Sequence, residues 1–240
     1  MIFNPLFMVI SCRKERSSWE GISKQFKGLN YLILCGGYKG TDYCFDGNIL
    51  YLNCNDFYDG LPEKVIGGLL VIQKEMRFKD ISYVVKMDSN NSIKENNIQN
   101  IILNIESLEE YDYFGQSLNI YKGQANRKYH FSKVKKSSKW HNKEYMGDYC
   151  DWLGGGYTYC LSRKSIRIIK NEYNLNNYKS CADKHIFEDI MIALILKKNK
   201  IFPIEKNLGI IPDDSENLSS FIIFKRKIKS ILKTFLKKIF

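Results

Sequence analysis

The chain has little proline, 4 residues in 240, and only 3 histidines. Aromatic residues are plentiful by contrast, with 16 Tyr and 14 Phe. Scarce proline beside abundant aromatics excludes a disordered, linker-like polypeptide. No two of the 7 cysteines form a C-x-x-C pair, which excludes a zinc ribbon or a thioredoxin-type site. Their odd number reads as reduced thiols in a cytosolic setting, with room for one or two disulfides. No apolar run approaches the roughly 20 residues of a membrane span. Neither a phosphate-binding P-loop nor a G-x-G-x-x-G signature occurs. Residues 1–11 are apolar but short, lack a basic start and run straight into charge, so they read as a buried strand and not as a secretory leader. There is no internal repeat.

What the chain does have is positive charge, a formal +11. Such a balance points to nucleic acid, an anionic membrane surface or phosphate-bearing substrates. Its distribution decides among them. Residues 220–240 carry Lys225, Arg226, Lys227, Lys229, Lys233, Lys237 and Lys238 and no acid, so the body is only mildly basic. In the same stretch Phe221, Phe224, Ile228, Ile231, Leu232, Phe235 and Ile239 recur at helical spacing. Residues 216–240 are thus expected to form a basic amphipathic helix that lies on an anionic membrane surface through residues 220–240. Packing against the body or a partner subunit is the competing use of that face. Because the aromatics sit on the apolar face and do not interleave with the lysines, nucleic acid is not expected as a partner.

Along the body, strands and helices alternate. Residues 6–10, 31–35, 48–52 and 82–87 read as strands, and 18–26 and 61–76 as helices. Residues 11–16 make a basic loop. This alternation predicts an α/β fold with a mostly parallel sheet and helices on its faces, over one domain spanning residues 1–215. Residues 121–149 are polar and basic and read as strands with a mobile loop; 162–172 and 188–198 read as helices.

Ligands of such sheets gather at the carboxyl ends of the strands. Two candidate groups lie there. Asp88-Ser89-Asn90 presents hard oxygen donors two residues apart, suited to Mn²⁺ or Mg²⁺ on a diphosphate. The same residues also suit a solvated turn. Arg13 and Arg16 follow the first strand and suit phosphate recognition, or else a solvated charged loop. Farther on, Glu188-Asp189 opens an apolar helix, where a carboxylate either favours the helix dipole or acts as a base. Gly154-Gly155-Gly156 permits close backbone approach to a ligand.

Taken together, the segments resemble glycosyltransferase family 31, the β-1,3-galactosyltransferases and N-acetylglucosaminyltransferases that include the Fringe proteins. Arg13, Arg16 and Trp19 resemble its R-x-x-x-R-x-T-W stretch. Asp56, Tyr58, Leu61 and Lys64 match its D-x-Y-x-x-L-x-x-K segment at every fixed position. Lys86, Asp88 and Asn90 fall where the family has K-x-D-D-D. Residues 155–163 (GGYTYCLSR) resemble G-G-x-G-Y-V-L-S-R, and Glu188-Asp189-Ile190 resembles E-D-V. The resemblance covers about residues 5–200.

It implies a GT-A fold, a Rossmann-like nucleotide-sugar half with a mixed sheet joined to an acceptor half. It implies an inverting transfer of a hexose or N-acetylhexosamine from a UDP-sugar to a hydroxyl of a glycan, glycoprotein or glycolipid, forming a β-1,3 linkage. Asp189 is then the base with Glu188 beside it. Ser11, Arg13, Arg16, Lys64, Lys86, Asp88 and Ser89 are donor-binding residues, Trp152, Gly155 and Gly156 acceptor-binding residues, and Asp88 and Asn90 metal ligands. Three departures qualify this. Ser89 and Asn90 replace two acids, which weakens the Mn²⁺ or Mg²⁺ site and leaves Arg or Lys to neutralise the diphosphate. His130, His141 and His185 all precede Asp189, whereas the family's metal-binding His follows its E-D-V motif. Thr158 replaces a glycine and is expected to reshape the acceptor side. A catalytically silent sugar-binding relative is the alternative function. A microbial or viral protein working in the cytosol, peripherally attached to a membrane, is the expected setting.

Overall fold

The computed structural model describes residues 3–93 and 98–212. The basic tail at 216–240 lies outside the described residues, and so does the end of the expected 1–215 domain.

In chain order the elements begin with β1 (Pro5–Ile10), α1 (Trp19–Gln25), β2 (Tyr31–Cys35), β3 (Tyr43–Asp46), β4 (Ile49–Leu52) and α2 (Leu61–Lys74). Then come β5 (Tyr83–Asp88), β6 (Asn91–Ile93), α3 (Ile98–Glu106), β7 (Tyr113–Gly115) and β8 (Leu118–Asn119). The rest is β9 (Trp152–Leu153), β10 (Thr158–Ser162), α4 (Arg163–Glu172), α5 (Cys181–Lys184), α6 (Glu188–Lys198), β11 (Ile204–Glu205) and β12 (Ile210–Pro212). Eight strands form one sheet in the order β11-β7-β10-β5-β1-β2-β4-β3.

The centre of the sheet is parallel, as β1 pairs in parallel with both β2 and β5, and β2 with β4. The flanks are not: β10 runs antiparallel to β5 and β7, and β3 antiparallel to β4. The sheet is therefore mixed, less parallel than the strand–helix alternation alone suggests. The reversed strands are β10, within the sheet, and β3, at one edge. The expected basic loop at 11–16 is instead largely a 3-10 turn, Arg13–Ser18, that leads into α1.

Alternation along β1 divides the core into two layers. Leu6, Met8 and Ile10 pack with α2, α4 and α6, while Phe7 and Val9 pack with Trp19, Phe26, Ile101 and Ile105 on the other face. A central strand buried on both sides needs an unbroken apolar run, which residues 6–10 supply. The glycines of α2 have a packing reason. A Cβ at Gly68 would meet Leu34 Cδ2 at 2.5 Å, and one at Gly67 would meet Tyr178 Cε2 at 2.8 Å. They let the helix sit close on the sheet, at a helix-propensity cost of about 1 kcal/mol each.

Between β8 and β9 the chain forms successive turns and no strand, contrary to the mixed strand-and-loop expectation for 121–149. A third, aromatic cluster anchors it. Trp140, Tyr145 and Tyr149 pack on Ile186, Phe187 and Ile190. Polar ties complete the anchor. Arg127 Nη1 donates to the Tyr145 carbonyl at 2.6 Å, and Trp140 Nε1 donates to the Ala182 carbonyl at 3.0 Å. All seven cysteines are unpaired thiols. No helix among the described residues is long and apolar enough to cross a membrane.

Candidate active site

The site grows from the carboxyl end of β5. Lys86 and Asp88 are two residues apart on one strand and so share a face. The buried Lys86 Nζ reaches Asp88 Oδ1 at 2.7 Å and Glu188 Oε1 at 3.1 Å, and it also donates to the Gly155 carbonyl. An ammonium so enclosed is tolerated only when paired and hydrogen-bonded. Burial pulls its pKa down, but Asp88 and Glu188 outweigh burial and leave it raised, so Lys86 stays protonated.

The first turn of α6 faces this lysine. Glu188 Oε2 accepts from the Tyr159 hydroxyl at 2.8 Å. Asp189 Oδ2 accepts from the Gly155 N–H at 2.8 Å, and Oδ1 from the Ile190 N–H at 2.8 Å. Burial raises the pKa of both carboxyls. Lys86 counteracts this most at Glu188, and the Gly155 and Ile190 amides do so at Asp189. Asp189 remains only partly covered by protein and lines a cavity. Gly155 is required there for space. A Cβ on it would lie 2.3 Å from Glu188 Oε1 and 3.3 Å from Asp189 Cβ.

The cavity measures about 520 Å³, within the size range of small-molecule sites. It brings together Lys86, Asp88, Trp152, Gly155, Gly156, Glu188 and Asp189 among the residues read from the sequence. Aromatic and polar residues complete its lining, among them Tyr58, Tyr129, Lys133, Tyr149 and Tyr157. The Tyr149 hydroxyl is buried and has no hydrogen-bond partner among the described residues. Thr158 is buried in β10 opposite Met87 and does not itself line the cavity, although its neighbour Tyr157 does.

Ser11, Arg13, Arg16, Lys64, Ser89 and Asn90 do not line the cavity. They gather beside it, at the ends of β1 and β5. Lys64 is buried, with Nζ 2.7 Å from the Ser11 carbonyl and 2.8 Å from Asp56 Oδ1. Asp56 also accepts from the Arg13 N–H and the Gly36 N–H, both at 2.8 Å. Thus the D-x-Y-x-x-L-x-x-K spacing divides its labour: Asp56 and Lys64 tie the loop after β4 to β1, while Tyr58 and Leu61 face the cavity. Ser11 Oγ accepts from Trp19 Nε1 at 2.8 Å and donates to Glu15 at 2.9 Å. Ser89 Oγ donates to the same Glu15 oxygen at 2.6 Å. Arg13 and Arg16 are exposed, and so is Asn90.

Sequence reasoning missed Tyr129, Lys133 and Tyr149, which come from the irregular segment, and the bracing role of Glu15. A run of polar and aromatic residues carries no periodic signal that would show which of them turn inward.

As a metal site the donors are poor. Asp88 is the one carboxylate of its triplet, and its Oδ1 already accepts from an ammonium. The Ser89 hydroxyl is engaged with Glu15, and Asn90 brings no charge. Among the described residues no three His, Cys, Asp or Glu side chains gather to hold a metal. This donor set does not fit a resident Mn²⁺ or Mg²⁺.

A mixed sheet with helices on both faces, and a carboxylate-lined cavity at its strand ends, is consistent with a glycosyltransferase of the GT-A kind. A family model described as Galactosyltransferase matches residues 42–207. That is well over half of the chain, and the chain belongs to this family of glycosyltransferases. The match covers the cavity and α6 but begins after the turn that carries Arg13 and Arg16. A comparison with curated proteins gave no match.

Proposed function

We propose that the protein transfers a hexose or N-acetylhexosamine from a UDP-sugar to a glycan hydroxyl, with inversion and formation of a β-1,3 linkage. The observation that carries this reading is Asp189 itself: a carboxylate fixed by two backbone N–H groups, partly open to a cavity, with a raised pKa. Each oxygen of an ionised carboxylate has a second acceptor position free after one N–H bond. An acceptor hydroxyl therefore has a place to hand over its proton. As the proton passes to Asp189, the hydroxyl oxygen bonds to the anomeric carbon and the bond to the diphosphate breaks on the opposite side.

Lys86 holds Glu188, Asp88 and the Gly155 carbonyl in register with the base. Lys64 and Ser11 have their polar atoms committed within the protein, so they support the donor side by shaping the turn that presents Arg13 and Arg16 to the nucleotide. Trp152 offers a ring to the acceptor next to Gly155 and Gly156. The basic residues at 220–240 attach the enzyme peripherally to an anionic membrane on its cytoplasmic side. Equal liposome pelleting by the chain and by a version ending at Ser219 would reject that attachment.

Thermal-shift screening against nucleotide sugars, followed by transfer assays with the stabilising donor, tests the central reading. A UDP-sugar is expected to raise the melting temperature and to be turned over. Turnover that survives Asp189→Asn would remove the base assignment.

A further inference from the structure

Departure of a nucleoside diphosphate needs positive charge at its terminal phosphate. The donors at the end of β5, with Asp88 their one carboxylate, do not fit a metal that would bring it, so the charge has to come from side chains. Among the described residues two cations line the cavity, Lys86 and Lys133. Lys86 is spent: its ammonium is shared by Asp88, Glu188 and the Gly155 carbonyl. Lys133 is not. Its Nζ donates to the Tyr129 hydroxyl at 2.7 Å and lies over the Tyr129 and Tyr58 rings, at 3.9 and 5.2 Å from their centroids. No carboxylate among the described residues is in salt-bridge range of it.

The position of Lys133 is on the donor flank. Tyr58, beneath it, lies within the electrostatic reach of Asp189, Glu188 and Asp88. Two residues on, Lys135 Nζ sits 3.2 Å from the centroid of the Phe57 ring, which Lys14 of the Arg13–Ser18 turn approaches from 6.0 Å. Ser138 Oγ donates to Asp59 at 2.7 Å and pins the segment to the turn just before α2. The irregular segment thereby carries an unneutralised ammonium to the side of the cavity where β1 and β5 end.

We infer that Lys133 is the electrostatic partner of the donor's leaving diphosphate, supplying from the 121–151 segment the charge that the β5 triplet does not collect. This rests on the nucleotide-sugar reading above. In the step, the electron pair of the breaking bond between the anomeric carbon and oxygen stays on the terminal phosphate oxygen. The acceptor proton goes to Asp189. Lys133 keeps its own proton and donates a hydrogen bond to the departing oxygen. The aromatic floor of Tyr58 and Tyr129 holds the ammonium without neutralising it.

Isothermal titration with UDP and with UMP, in excess chelator, tests this on the wild-type chain, Lys133→Gln, Lys133→Arg and Lys136→Gln. Lys136 is exposed and does not line the cavity. Lys133→Gln is expected to weaken UDP about tenfold, the worth of one charge-assisted hydrogen bond, with UMP held within about twofold. Lys133→Arg should keep most of the UDP affinity, and Lys136→Gln all of it. Three results would overturn the inference: equal UDP affinity in Lys133→Gln, equal weakening of UDP and UMP, or wild-type UDP binding that vanishes in chelator and returns with Mn²⁺. Failure of the wild-type chain to bind UDP under any condition would instead sink the donor reading, and this inference with it.

Discussion

The body of the molecule and its 121–151 segment are held by different means. In the body, β1 and its neighbours are buried on both faces, and the buried charge there, Lys64 with Asp56, is spent on joining one loop to one strand. The segment has turns in place of a ladder, and a cluster of aromatic rings fastens it to the chain just before and within α6. The cavity lies where the two meet. Regular layers fix the carboxylates and their lysine, while the irregular wall supplies rings and polar ends. The regular layers thus hold Lys86, Asp88, Glu188 and Asp189, and the segment without periodic constraint brings rings and the Lys133 ammonium to the same cavity.

This contrast can be broken most directly at the base. Asp189→Asn is expected to lower transfer by about a thousandfold, in the range of a lost general base, while a cooperative melt is retained. Initial rates beside a thermal melt would check it. The acid limb of the wild-type pH–rate profile gives a second reading. Asp189 accepts a proton only when ionised, and burial raises its pKa. Activity should therefore fall, as pH is lowered, above the ordinary aspartate value of about 3.9. A limb at or below that value would contradict the raised pKa.

Lys64→Met should do the opposite of Asp189→Asn. Removing one partner of a buried pair costs about 3–5 kcal/mol, so denaturant melts should show a large loss of stability. A stable variant with selectively weakened donor binding would mean that Lys64 contacts the donor after all. Gly155→Ala comes next. Its methyl collides with Glu188 and crowds Asp189, and a displacement of about 1 Å at a catalytic group costs about a hundredfold in rate. An unchanged kcat would show that the helix start yields without consequence.

The smallest effect belongs to the segment. Tyr145→Phe removes a hydroxyl 2.9 Å from His185 Nδ1 and should cost about 1 kcal/mol of stability. Because this tie shapes the irregular wall, which carries Lys133 as well as the aromatic rings, the donor and acceptor KM are both expected to rise modestly. Unchanged KM values for both would show that the aromatic anchor does not set the position of that wall.

Legibility in the sequence follows the same boundary. The helix expected at 188–198 is α6 to the residue, and 31–35 is β2. Continuous apolar runs and a helical repeat need only local physics to be recognised. Strands of two or three residues such as β7 and β11 have no such run, and partners far away in the chain select them. Lys64 and Lys86 look alike as letters near strand ends and motif positions. One secures a loop and the other holds the carboxylates of a cavity, and nothing in their spacing distinguishes these uses. Lys133 stood among many lysines of a basic stretch, without a pattern to single it out.

By itself the sequence determined the layered α/β architecture, the order of its motifs and the placing of Asp189 at the mouth of a helix. Backbone periodicity and short-range spacing are enough for that. Only the tertiary structure decided which charges are consumed by the fold and which face the cavity, and how the 121–151 segment closes one wall of it. Pairing and burial depend on neighbours brought together from distant parts of the chain, as Lys86 of β5 meets Gly155 in the turn before β10 and Glu188 of α6.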